Sequence, residues 1–176
     1  MISGESLLLI QRADDYKPIQ AARLVRHMLG NGRYWSLKTP TRTQCVVANE
    51  RLFTNRVVRV AAEGEKPVLR VVTQSGHALS ATHDQLVSTP GGYKRLNELH
   101  AKDQVHIAPW PRKFRHFLPD VLPVHETHRS WHVWPKKTVV ETVFAILDTG
   151  FAEVFDLDLA APFNNYAANE FIVASG

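Results

Sequence analysis

At 176 residues, 44% of them apolar, with a formal charge of +4, the chain carries enough apolar side chain for one buried core and too little for two comfortable domains. A single cysteine, Cys45, excludes an internal disulfide framework; the opening residues hold no basic leader, and no run of about 18 apolar residues occurs, so a cytoplasmic protein with no membrane partner is expected. Lys and Arg are scattered among acidic neighbours rather than gathered into a stripe, so nucleic acid is not the expected partner either.

In chain order, residues 7–11 form a short apolar strand, followed by a polar turn at Asp14 and Asp15. A short helix is predicted from Pro18 to about Met28, with Pro18 at its first position and Gly30 to Gly32 ending it. Beyond it, strands are predicted over 46–48, 56–61, 67–73, 77–81, 104–109, 138–147 and 153–159. They are short, rich in β-branched residues, and punctuated by Gln74-Ser75-Gly76 and Pro90-Gly91-Gly92. In TVVETVFAIL, Val140, Thr142, Phe144 and Ile146 form the more apolar face, which is expected to be buried. Many short strands with one or two small helices predict an all-β fold and a single domain over 1–176. No internal repeat is present.

The stretch 112–137, RKFRHFLPDVLPVHETHRSWHVWPKK, has no sustained period and reads as an inserted loop or linker. His125, His128 and His132 invite a zinc hypothesis, but the spacing lacks the four-residue step of a helical HExxH site, and Pro123 and Pro135 leave little room for a long helix. The favoured reading is a His-rich surface loop with no metal, in which Trp131 and Trp134 cover an apolar edge. No cofactor is expected.

Three blocks, ISGESLLLI, VTQSGHALSATHDQLVSTPGGYKRLNELHAKDQVHI and DTGFAEVFDLDLAAPFNNYAANEFIVASG, resemble in order and spacing the blocks of inteins, most of all the intein of a replicative DNA helicase. The resemblance implies the Hint fold, a horseshoe of short strands in which both chain ends meet in a central cleft. It also implies a mini-intein, a monomer in which 112–137 stands in place of a homing endonuclease, and whose partners are the flanking host segments, the exteins.

Splicing of that kind opens when a Cys or Ser at the first position attacks the preceding carbonyl, which needs a thiol or hydroxyl. Met1 supplies neither. The family's Thr-x-x-His motif falls on Thr82-His83-Asp84-Gln85, so threonine is kept while the imidazole position holds Gln85, which donates a hydrogen bond but cannot transfer a proton near neutral pH. His83 would share a face with Gln85 in a strand and could substitute in a shifted register, or be an ordinary turn residue. Phe155-Asp156-Leu157 matches the family strand whose aspartate positions the nucleophiles, although strand alternation alone would also put Asp156 opposite two apolar neighbours. Asn164-Asn165-Tyr166 stands where the family has His-Asn-Phe, leaving Asn164 at a second imidazole position. The family's closing asparagine, which cyclises on its own carbonyl, falls on Gly176, with Ser175 before it.

The residues so implicated are Met1, Thr82, His83, Gln85, Asp156, Asn164, Ser175 and Gly176. An inactivated intein and a naturally degenerate Hint domain acting as a structural or binding module both fit them, with a DNA-binding remnant of an endonuclease insert as a third reading.

Overall fold

The computed structural model describes residues 1–12, 15–30, 41–47, 51–110, 137–162 and 164–176. The histidine- and tryptophan-rich stretch, and with it the zinc hypothesis, lies outside the described residues except for Lys137. Twelve strands, β1 (Ile2–Ser3), β2 (Leu7–Arg12), β3 (Asp15–Gln20), β4 (Arg42–Val47), β5 (Arg51–Thr73), β6 (Ala78–Thr82), β7 (Leu86–Thr89), β8 (Gly92–Arg95), β9 (Gln104–Ile107), β10 (Val139–Leu159), β11 (Asn165–Ala168) and β12 (Phe171–Ala174), join one antiparallel sheet. A single α-helix, α1 (Ala21–Gly30), and one 3-10 turn at Leu96–Glu98 complete the described fold.

The helix begins later than Pro18. Residues Asp15–Gln20 pair with β2 as a hairpin, with Pro18 opposite Leu9. Because β3 ends the path of hydrogen-bonded strands, the missing N–H of proline costs no ladder bond there. The helix then opens at Ala21, where the carbonyls of Ser6 and Gly4 accept from the N–H groups of Ala21 and Ala22 and so satisfy donors the first turn leaves free. Its buried stripe is Ala21, Leu24 and Val25. Leu8 and Ile10 of β2 join that stripe in the main core, while Leu9, on the opposite face, packs with Trp110.

Two long strands replace four predicted short ones. Residues 62–66 and 148–152 lie between the predicted strands, yet the structure carries the strands through them: β5 is 23 residues long, β10 is 21, and the two pair along most of their lengths. Gly64 at φ 74° and Gly150 at φ 82° supply the left-handed conformations, and the register shifts beside Gly150 mark a bulge rather than a break.

A further shift, between Val143 and Ala145, divides the expected face of β10. Val143 is buried and exchanges backbone bonds with Lys102 and Asp103, whereas Phe144 is 66% exposed and Val140 45% exposed. Period-2 alternation assumes an unbroken ladder: before the bulge the buried residue is Val143, off the expected face, and beyond it Ile146, on the expected face, packs against the core.

The central strand β1 lies between β6 and β10, with Ile2 opposite both Ala81 and Phe155. Close approach at this point depends on Gly4. A β-carbon there would lie 2.7 Å from the Phe155 ring and 2.9 Å from Ala22. Glycine thus lets α1 and β10 close over the first strand, and Phe155 is fully buried.

Candidate functional site

Register alone gathers the predicted site. One step back from Ile2, Met1 falls beside Thr82 at the end of β6 and beside Asp156 in β10. Likewise β12 pairs Val173 with Val87, so two residues further on Ser175 comes alongside Gln85. The two chain ends therefore enter one cleft from neighbouring strands.

Hydrogen bonds hold both ends there. The Met1 amine donates to Thr82 Oγ1 at 3.3 Å and to Gln85 Oε1, while the Met1 carbonyl accepts from Thr82 N at 3.0 Å and Thr82 Oγ1 at 3.3 Å. From the same side chain, Gln85 Nε2 donates to Ala174 O at 2.9 Å and to Leu86 O at 3.0 Å. On the other side of the cleft Gly176 N donates to Asp156 Oδ2 at 3.0 Å and Oδ1 at 3.3 Å. Ser175 N donates to Asn164 O at 2.7 Å.

Burial shapes the charges. It lowers the Met1 amine below its ordinary value, an effect opposed by the negative charge of Asp156. Burial likewise raises Asp156, opposed by the chain-terminal cation. The pair thus favours mutual ionisation in a setting that disfavours each ion alone.

His83 and Asn164 sit differently from the others. Residues 83–84 form a turn between β6 and β7, so the strand that would have put His83 on the face of Gln85 is absent, and His83 Nε2 is buried with no hydrogen-bond partner. Asn164 is exposed and contributes its backbone carbonyl, while its neighbour Asn165 is buried and clamps both N and O of Val46. Ser175 Oγ is also buried without a partner. At Gly176 an added β-carbon falls onto Asp156 Oδ2 and within 2.9 Å of Asp156 Cγ, so the carboxylate occupies the space a side chain at that position needs.

Sequence reasoning missed a second buried cluster, at the opposite end of β6. His77 places Nδ1 2.8 Å from Glu141 Oε1 and its Nε2 against Glu170 Oε2. Thr73 Oγ1, at 2.7 Å, and Ser75 Oγ also donate to Glu141, and Trp110 N donates to Glu170. With both ring nitrogens facing carboxylates, the imidazole is a double donor and hence a cation. Burial opposes that charge, but the bonds to Glu141 and Glu170 outweigh it and raise His77 to about 9. Glu141, pushed up by burial, is brought down to about 2 by donors from His77, Ser75 and Thr73. His77 stood in one of the quoted blocks, but nothing in its local pattern points to carboxylates 64 and 93 residues away.

Two chain ends drawn into one partly buried cleft by strands of a long, bulged antiparallel sheet match the Hint architecture of inteins. Solved structures agree: a DnaB intein from Synechocystis is 26% identical over 99% of this chain and 97% of that one, with a TM-score of 0.68. A variant of the Ssp DnaB mini-intein is 25% identical over 99% and 93%, with a TM-score of 0.70. The transcription factor IIB Mvu mini-intein, 14% identical over 99% and 98% with a TM-score of 0.70, shares the fold alone. No family profile and no curated protein sequence matches the chain. The chain has the intein fold and resembles the DnaB mini-intein. Among the described residues no helix is long and apolar enough to cross a membrane.

Proposed function

We propose that the chain is an intein-type protein-splicing domain, shaped to excise itself and join its flanking segments, that does not splice with the residues it carries. The observation behind this reading is the shared cleft: Gln85 holds the nitrogen of residue 1 and the carbonyl of Ala174, while Asp156 holds the nitrogen of residue 176. Bringing two ends together before reaction is what converts a bimolecular transfer into an intramolecular one. Thr82 fixes the backbone of residue 1 from both its N–H and its hydroxyl. What the cleft lacks is reactive chemistry. Met1 offers no thiol or hydroxyl to attack a carbonyl, Gly176 offers no side-chain amide to cyclise, and Gln85 and Asn164 replace imidazoles with groups that transfer no proton near neutral pH.

The test is restoration. With Met1→Cys and Gly176→Asn, and the domain placed between two reporter proteins, a ligated reporter product on a gel is expected. A restored chain that neither ligates nor cleaves overturns the reading. A specific observation favours the second reading, a degenerate Hint domain kept as a structural module: Asp156 fills the place of a side chain at 176. A restored chain that folds but stays intact selects that module.

A further inference from the structure

We propose that Gln85 is a positioning residue that couples the two ends of the domain, its amide oxygen holding the nitrogen of residue 1 and its amide nitrogen holding the carbonyl of Ala174. The proposal rests on the splicing reading for its consequence in reaction and on the geometry alone for the coupling.

A side-chain amide has one end that only accepts and one that only donates. Three independent contacts agree on a single orientation here. The amine of Met1 can only donate to Gln85 Oε1, and the carbonyls of Leu86 and Ala174 can only accept from Gln85 Nε2, at 3.0 and 2.9 Å. Turning the amide over would break all three.

Burial converts this bridge into coupling. Gln85 is 4% exposed and is anchored at the base of the turn by its own N–H, which donates to Thr82 O at 3.0 Å. If one end leaves, the corresponding half of the amide loses a partner in a place with little water to replace it, so each end raises the cost of the other's departure. The bridge is also indifferent to the state of residue 1. Both an amide N–H, as in an unreacted precursor, and a free amine donate to Gln85 Oε1, so the same contact persists on either side of an acyl shift. A glutamine moves no proton; it aligns.

Two substitutions separate its two halves. Gln85→Leu removes both, whereas Gln85→Glu, studied at a pH where its carboxyl is shown by NMR to be ionised, keeps the acceptor for residue 1 and loses the donor to Ala174. In the unaltered chain and each variant, amide hydrogen exchange at Ser175 and Gly176 reports the C-terminal strand, and the pKa of the Met1 amine, followed by nitrogen NMR, reports the other end. Expected for Gln85→Leu is a roughly three- to tenfold rise in exchange at Ser175 and Gly176, the size of one net hydrogen bond, together with a lower amine pKa. Gln85→Glu is expected to show the same rise in exchange with a raised amine pKa, a split that a merely structural role does not produce. Unchanged exchange in both variants, or exchange and amine pKa moving in the same sense in both, overturns the coupling.

The reaction is followed separately in the chain carrying Met1→Cys and Gly176→Asn. There Gln85→Glu is expected to keep thiol-induced cleavage at the first junction and to lose cleavage at the last, while Gln85→Leu loses both. If the restored parent gives no product, the splicing reading fails, and the exchange and amine measurements still decide the coupling.

Discussion

The two ends of β6 hold two buried polar clusters with opposite characters. At one end His77 is a cation between two carboxylates, with donors from Thr73, Ser75 and Trp110 completing the set. At the other, the splice cleft is bridged by a neutral amide, and His83 Nε2 and Ser175 Oγ are buried without partners. The difference separates holding a fold from holding a reaction. A saturated ion cluster specifies one arrangement of β6, β10 and the turn between β11 and β12.

Breaking the ion cluster is expected to have the largest effect on stability. His77→Ala leaves Glu170, fully buried, and Glu141 without their cation, and removing one partner of a buried pair costs about 3–5 kcal/mol. Urea unfolding measures it; a loss below about 1 kcal/mol, the scale of a single neutral hydrogen bond, would show the cluster to be incidental.

The same cluster sets a pH window. His77 is raised from 6.5 to about 9, so its contribution is complete below 6.5 and disappears as pH rises through about 9. Glu141 is lowered from 4.5 to about 2, so its contribution is complete above 4.5 and disappears as pH falls through about 2. Both are present in full only between 4.5 and 6.5. Melting temperature against pH is expected to plateau there and decline towards pH 9, and His77→Gln is expected to flatten the alkaline limb.

On the cleft side the expected effects are smaller. Gly4→Ala drives a methyl against the Phe155 ring and Ala22, an overpacking worth about 1–3 kcal/mol, which unfolding measures; a neutral result would mean that α1 can retreat from β1. Gln85→Leu is expected to lower global stability by only about 1 kcal/mol while loosening both chain ends, because it breaks a bridge rather than strands a charge. A loss as large as that of His77→Ala would erase the contrast between the clusters.

Much of the frame was legible from residue order. The apolar strand from Leu7 to Gln11, the turn glycines and the β-branched strands all carry local signals, and the three blocks in sequence carry the resemblance to the fold. Local reading failed where a longer partner overrode it. Pro18 suits a helix start in isolation, yet pairing with Leu9 makes Asp15–Gln20 a strand. The polar intervals around Gly64 and Gly150 look like turns until β5 and β10 are laid side by side. The bulge after Val143 is invisible to a period-2 pattern because it exists only in the pairing.

At the site the division is the same. Residue order alone sets which chemical groups are available: no thiol or hydroxyl at residue 1, no imidazole at 85 or 164, no side-chain amide at 176. Which of those groups meet depends on strand pairing. It put Gln85 rather than His83 against residue 1, turned the glutamine into a bridge between both ends, and gave the space beside Gly176 to Asp156. It also made His77 a buried cation. The physical reason is that chemistry belongs to single side chains and is written locally, whereas charge, burial and approach depend on neighbours 60 to 90 residues away, which only strand register brings together.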